Sequence, residues 1–385
     1  MKTKILSFMI IITLTTTTII GCSNKKDNFT NTALTTDNIK NDSKDELEVV
    51  SNKEYYFDTP LIPSSYIFIE KQDGDTLIRD INAGPTIQKS INLKIENDKV
   101  ISDILETPNN YNKTIEATFY IEKLENNELL ITDWYSDNQY KISSSLISNE
   151  NSSYKLYNNY LIEFVNGGAK NNFHPDKITL TNLEENKSIS VDIPQEFCLP
   201  RDIKIVNDTL FVSMSNESAI ESFDGLGYID PNILMLIDIN KGDIITHIEN
   251  TFINNFWPLD DNRILFLSNI ENKQVLEMYN ITDKSKKELL THSDSNESNS
   301  FKIDNLNVFN NNNNLYFSEV SEDKLSVKIA TINNLNIENI NTIYESSNSQ
   351  SDIYITINQE LNMIKIYSVN SSEEIDKLTE VILNN

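Results

Sequence analysis

An all-β chain of stacked four-stranded units is what the sequence predicts, on three observations. From Tyr55 onward apolar residues alternate with polar ones at a period near two, and Ile, Val, Tyr, Phe and Thr dominate, which is strand composition. A strand–turn–strand unit then recurs: Asn207-Asp208-Thr209-Leu210-Phe211-Val212-Ser213, Asp261-Asn262-Arg263-Ile264-Leu265-Phe266-Leu267-Ser268, Asn313-Asn314-Leu315-Tyr316-Phe317-Ser318 and Leu361-Asn362-Met363-Ile364-Lys365-Ile366-Tyr367-Ser368. The closing serines stand at 213, 268, 318 and 368, spaced 55, 50 and 50 residues apart. Finally, about 330 residues of such chain exceed what one closed core holds, whereas radial wedges pack only on their neighbours.

Each unit breaks into two hairpins. The first turns at Asn or Asp, with looser copies at Asn127–Thr132 and Asn159–Phe164. The second runs Ile233–Ile239, Asn240-Lys241-Gly242-Asp243, Ile244–Ile248; Lys177–Leu183 with Ile189–Ile193, Val275–Ile281 with Lys287–Leu290, and Ile91–Ile95 with Val100–Leu105 match it. Four antiparallel strands per roughly 50 residues make a propeller blade. The expectation is therefore a β-propeller of six to seven four-stranded blades over 53–385, with tandem β-sandwiches as the alternative. Seven follows if Tyr66–Glu70 and Thr76–Ile81 form a blade hairpin around Asp73-Gly74-Asp75, and six if that hairpin closes the ring with the C-terminus. Asp73-Gly74-Asp75 lacks the terminal Glu of a calcium loop and reads as a turn. Ser371/Glu374 and the spacing of Ile375, Leu378 and Ile382 predict a short surface helix.

The chain holds 8 Gly but 55 Asn among 385 residues. Hairpin turns of type I′ need positive φ, which Asn tolerates best after Gly, so Asn takes those positions. An A/T-rich genome would inflate Asn as well, and the bare run Asn310–Asn314 has that character.

Charge excludes some partners. With 32 Lys+Arg against 58 Asp+Glu, the net charge is −26, which is no footprint for nucleic acid or for an anionic membrane. Membrane attachment is expected by another route. Lys2 and Lys4 precede the apolar run Ile5–Ile12, which continues through Thr to Ile19-Ile20-Gly21-Cys22, the form of a secretory leader. The run is too short to serve as a span of a ~30 Å core. Residues 1–21 are thus expected as a signal peptide. Ile19-Ile20-Gly21-Cys22 resembles the lipobox of bacterial lipoproteins, which implies a diacylglycerol thioether on Cys22. Two or three acyl chains then anchor stably. Ser23, rather than Asp, follows the lipidated position; by resemblance to a Gram-negative sorting rule this implies the outer membrane or cell surface. Residues 22–52, rich in Asn, Thr, Asp, Lys and Ser, read as a disordered tether spanning roughly 30 Å.

Unusual residues collect in the expected connections. Asn166–Asp176 holds Gly167-Gly168, His174 and Asp176, and Asn216–Asn232 holds Asp224 and Tyr228. Asp133-Trp134-Tyr135-Ser136-Asp137 is expected at the corresponding point of the preceding blade. Arg201 and Trp257 fall in inter-blade connections. If these loops share one rim, Trp134, Tyr135, His174, Asp176, Arg201, Asp224, Tyr228 and Trp257 form a ligand surface of aromatics beside carboxylates. Such a surface suits a glycan or a protein.

Catalytic motifs are missing: there is no Gly-x-Ser-x-Gly, His-Glu-x-x-His, phosphate loop or Cys-x-x-Cys. His174 is the best single candidate for a base. No metal site and no cofactor is expected. Cys198, alone once Cys22 is lipidated, is expected as a buried thiol.

Lipobox and repeat together resemble bacterial β-propeller lipoproteins, a group that includes envelope-assembly scaffolds. The resemblance implies a membrane-anchored, non-enzymatic binding or scaffold module with an envelope protein or glycan as partner. The alternative is a propeller enzyme, a glycan lyase or hydrolase using His174 with Asp176 or Asp224.

Overall fold

The computed structural model describes residues 48–61, 66–71, 74–80, 87–108, 113–115, 118–147, 152–166, 174–216, 231–249, 255–270, 273–293, 302–309, 314–321, 324–333, 336–346, 353–358, 361–370 and 372–384. The chain divides into Met1–Lys44, outside the described residues, and Asp45–Asn385, which carries every strand. Cys22 and the expected leader and most of the expected tether therefore lie outside the described residues.

The first strand, β1 (Val49–Leu61), is set aside by the chain and used last. Blade 1 is β2 (Tyr66–Glu70), β3 (Thr76–Asp80), β4 (Ile87–Glu96) and β5 (Lys99–Pro108). Blade 2 is β6 (Lys113–Ile115), β7 (Phe119–Lys123), β8 (Glu128–Asp133) and β9 (Gln139–Ser143). Blade 3 is β10 (Ser152–Tyr157), β11 (Tyr160–Asn166), β12 (Pro175–Asn182) and β13 (Lys187–Asp192). In blade 4 the first strand is split into β14 (Phe197–Cys198) and β15 (Ile203–Val206), both paired with β16 (Thr209–Asn216), which is followed by β17 (Ile233–Asp238) and β18 (Asp243–Glu249). Blade 5 is β19 (Asn255–Pro258), β20 (Arg263–Ile270), β21 (Lys273–Asn280) and β22 (Lys286–Ser293). Blade 6 is β23 (Lys302–Phe309), β24 (Asn314–Ser321), β25 (Lys324–Asn333) and β26 (Asn336–Ser346). Blade 7 is β27 (Ile353–Asn358), β28 (Met363–Val369), β29 (Ile375–Leu383) and, as its fourth strand, β1.

The result is a seven-bladed β-propeller closed by its own N-terminal strand. Both hairpin classes read from the repeat are present, and the Tyr66–Asp80 hairpin belongs to a seventh blade instead of sealing the ring. β1 runs antiparallel to β29 from Val49↔Leu383 to Leu61↔Ile375 and touches β5 in parallel at Tyr56↔Lys99 and Phe57↔Val100. The strand thus begins at Val49, inside the segment expected as tether.

Turn chemistry follows the Asn excess. Positive φ occurs at Asn97, Asn126, Asn127, Asn158, Asn186, Asn207, Asn339 and Asn362. Between β4 and β5, Asn97 (φ 51) and Asp98 (φ 61) are both left-handed, as a two-residue primed turn requires. Gly74 is needed at the β2–β3 turn: its φ is +91, and a Cβ there would stand 3.1 Å from Leu361 Cδ1.

The recurrent serine also has a physical role. Ser213, 1% exposed, accepts the Asp202 N–H on Oγ at 2.9 Å and so fastens the first strand of its blade. Ser368 Oγ lies 2.9 Å from Tyr344 Oη, linking blade 7 to blade 6. A larger side chain would wedge these strands apart.

One expectation fails. The segment read as a surface helix, Ser371–Ile382, forms strand β29 over Ile375–Leu383 after a turn capped by Asn370, whose Oδ1 accepts from Ser372 N (2.9 Å) and Glu374 N (3.0 Å). Ile375, Leu378, Thr379, Val381 and Leu383 are all buried because the strand lies between β28 and β1 and packs on both faces. Burial on two faces erases simple alternation and left a pattern that mimicked helical spacing. Tertiary pairing overrode it.

Candidate functional site: a cleft at the inner strands

First strands ring the axis. β10 touches β15, β15 touches β19, β23 touches β27 and β27 touches β2. Between β10 and β15, and reaching the start of β7, lies a cleft of about 390 Å³ lined by Thr118, Phe119, Tyr154 to Tyr157 and Asp202 to Lys204. That is within the size range of small-ligand sites.

Alternation along β10 sends Tyr154 and Leu156 toward blade 2, where they pack on the cluster of Phe119, Ile121 and Leu129. It sends Lys155 and Tyr157 toward blade 4. Tyr154 Oη donates to Glu163 Oε1 at 3.2 Å, a cross-strand pair in which the carboxylate is 1% exposed. The Tyr157 phenol meets the Ile205 backbone; burial raises its pKa, Asp202 adds to the rise, and the backbone contact opposes it. Asp202 itself is exposed, and its Oδ1 accepts the Ile203 N–H at 2.9 Å.

The lysines are the informative residues. Lys155 and Lys204 occupy the same place in successive blades: Lys155 pairs with Ile162 and Lys204 with Phe211, and each precedes its turn (Asn158-Asn159, Asn207-Asp208) by three residues. Both are half-buried. Most described lysines have a carboxylate within 4 Å, including Lys53, Lys71, Lys94, Lys99, Lys141, Lys328, Lys365 and Lys377. Among the described residues, neither Lys155 nor Lys204 has an ion-pair partner. Lys204 instead lays its ammonium 5.1 Å from the ring centre of Trp257 and 5.6 Å from that of Phe256 on β19. Burial lowers its pKa, against the charge of Asp202.

The residues singled out in the sequence scatter. Trp257, 5% exposed, is part of the core between blades 5 and 6, so replacing it would cost stability. Trp134 and Tyr135 follow β8, joining the third and fourth strands of blade 2; the connection from Asn166 to Pro175 joins the second and third strands of blade 3. In an antiparallel blade those two kinds of turn lie at opposite ends, so Trp134 and Tyr135 leave the rim on which they were expected. The short first strand β6, silent in the sequence, causes the offset. Asp137 of that loop pairs with Lys71 in the first hairpin of blade 1, at the same end. The loop is locally built: Asp133, 9% exposed, accepts from Tyr135 N (2.9 Å) and Ser136 Oγ (2.6 Å), and Trp134 packs 5.9 Å from Tyr120.

His174, half-buried, and Asp176, exposed, stand at the start of blade 3's third strand; among the described residues His174 makes no hydrogen bond or ion pair. Arg201 is half-buried beside the split first strand of blade 4, its N–H donating to Ser213 O at 2.9 Å. Asp224 and Tyr228 lie outside the described residues. Cys198 is buried, with Sγ donating to Ser215 O at 3.2 Å. Of this set, Asp202's neighbour Arg201 alone adjoins the cleft in sequence. The cleft lysines had one legible signal, a lysine three residues before an Asn turn in two consecutive copies.

Fold and cleft define a seven-bladed propeller with an opening between the inner strands of blades 3 and 4. No protein-family model matches the chain, and no curated protein matches it. Solved structures similar to it include the WD40 domain of Toxoplasma gondii coronin (9% identity, 89% of this chain and 90% of that one, TM-score 0.47). The β-propeller domain of the trilobed protease of Pyrococcus furiosus is similar over 86% and 93% (10%, TM-score 0.45), and BamB of Moraxella catarrhalis over 87% and 99% (10%, TM-score 0.35). No activity or ligand follows from such likenesses.

Proposed function

We propose that the protein is a non-enzymatic binding or scaffold module of the cell envelope, held by lipid on Cys22 and taking a segment of a protein or glycan into the propeller. The observation that supports this reading most is the cleft between β10 and β15: about 390 Å³, bordered by half-buried Lys155, which has no ion-pair partner among the described residues, and by two tyrosines. Half-buried charge without a partner is costly in a finished core and useful in a binding site. Ile19-Ile20-Gly21-Cys22 and the polar stretch after it support the anchor, with the outer membrane or cell surface as the location.

Two measurements test this. Cys22→Ser in the full chain should move the protein from the membrane fraction to the soluble fraction; unchanged membrane retention would refute the lipid anchor. Full-length protein screened against arrays of envelope glycans and envelope-protein peptides should bind members of one class. That binding should fall when Lys155, which is half-buried and outside the core clusters, is replaced by Ala while the melting temperature holds. Binding that ignores the substitution would move the site elsewhere.

A further inference from the structure

Two successive blade junctions carry the same lysine and fill its surroundings differently. At the junction of blades 4 and 5, β19 supplies Phe256 and Trp257, and the Lys204 ammonium lies on both rings. At the junction of blades 3 and 4, β15 reads Ile203-Lys204-Ile205-Val206 and supplies no aromatic residue to Lys155. There the cleft opens. The two lysines are equivalent by pairing and by distance to the turn, so the cleft stands where the next junction has its rings.

We propose, on the binding-module reading above, that the cleft receives an aromatic side chain of a protein partner, an indole or a phenol, whose face meets the Lys155 ammonium as Trp257 meets Lys204. A ring over an ammonium is attracted by its quadrupole, and the attraction grows as water is excluded. The remaining lining fits this occupant. Phe119 and the bodies of Tyr154 and Tyr157 flank the opening, and the exposed Asp202 carboxylate offers an acceptor to an indole N–H or a phenol O–H. The same carboxylate, together with a net charge of −26, opposes an anionic guest.

The test uses full-length protein in detergent and three small probes: N-acetyl-tryptophanamide, N-acetyl-leucinamide and acetate, followed by saturation-transfer NMR and calorimetry. The tryptophan probe should bind, with the leucine probe at least ~5-fold weaker, and acetate should give no transfer. Lys155→Met, which keeps the stem and removes the charge, should weaken the tryptophan probe by ~5-fold or more, whereas Lys155→Arg retains it. Melting temperature checks that both variants fold. Equal binding of tryptophan and leucine probes, preference for acetate, or indifference to Lys155→Met would each overturn the aromatic assignment. If in addition the arrays show a glycan or peptide bound, the binding-module reading stands without it; if nothing binds in either experiment, both fall.

Discussion

The junction of blades 3 and 4 and the junction of blades 7 and 1 do the same job by different chemistry. Away from the cleft the first is apolar: Ile162, Phe164, Ile178, Leu180 and Val191 of blade 3 meet Ile203, Ile205, Leu210, Val212, Met214, Ile233 and Met235 of blade 4. At ~1.5–3 kcal/mol per fully buried side chain, area alone holds it. The second has an apolar part around Tyr55, Phe57, Ile78, Tyr367 and Leu378, but its centre is polar. Lys365 Nζ lies 2.8 Å from Glu70 Oε1, both side chains 3% exposed, close enough to pair although Oε1 accepts no aligned hydrogen bond. Glu70 Oε2 accepts from Thr76 Oγ1 (2.8 Å) and Thr356 Oγ1 (3.0 Å). Lys365 also donates to Gly74 O and, at 3.1 Å, to Thr76 Oγ1, while Tyr367 Oη lies 2.7 Å from Thr76 Oγ1. Asn358 Nδ2 reaches Lys71 O at 2.8 Å.

Consecutive blades are delivered to each other by a short connection. The last and first blades are not, and must find each other across the whole chain. An apolar seam tolerates slippage, whereas a buried network with fixed donors and acceptors accepts one register. We read the network as the feature that sets the register of ring closure, with β1 as the clasp.

The largest expected effect comes from breaking the network on one side. Lys365→Met leaves the Glu70 carboxyl buried without its cation and should cost ~3–5 kcal/mol in denaturant unfolding. Glu70→Leu combined with Lys365→Met should recover most of that loss. A single variant costing under ~1 kcal/mol would show that the polar centre is incidental. At the apolar junction Leu210→Ala should cost ~2–5 kcal/mol, the price of a cavity, and no second substitution at a partner should rescue it.

The two junctions should also differ in pH response. Burial raises the Glu70 pKa above its ordinary 4.5 although Lys365, Thr76 and Thr356 pull it down. A carboxyl whose folded pKa is raised adds stability that is fully present below 4.5 and is lost as pH climbs through the folded value. Stability should therefore decline on that rise, and Glu70→Gln should flatten the decline while Leu210→Ala leaves its shape unchanged. The smallest effect belongs to the rim: Lys99–Asp58, at 2.9 Å with both side chains more than half exposed, should lose no more than ~1 kcal/mol on Asp58→Asn.

Much of this architecture was legible because period-two strands, Asn turns and a 50-residue step are local signals. Each hairpin read at 91–105, 177–193, 207–213, 233–248 and 261–268 is present. What escaped depends on long-range pairing. β29 hid because it packs on both faces, β1 because its outer half is exposed among charged residues, and β6 because three residues carry no period. The ligand surface was less legible for the same reason. Which rim a loop reaches depends on counting every strand before it, so one unread strand moved Trp134 and Tyr135 to the far side. Trp257 looked like a loop platform because its burial against blade 6 is set by residues such as Val308 and Phe317, far along the chain. Lys155 and Lys204 went unnoticed because a lone lysine in a strand usually points to solvent.

Hydrogen exchange on the backbone of β1 tests the closing-strand account most directly. Paired to β29 from Asn52↔Val381 to Tyr56↔Lys377, the amides of β1 that donate to β29 should exchange as slowly as those of β29 itself, and Lys365→Met should speed both together. If β1 instead exchanges at the rate of an unpaired peptide while β29 stays protected, the ring is not closed by its N-terminal strand and the account of the clasp is wrong.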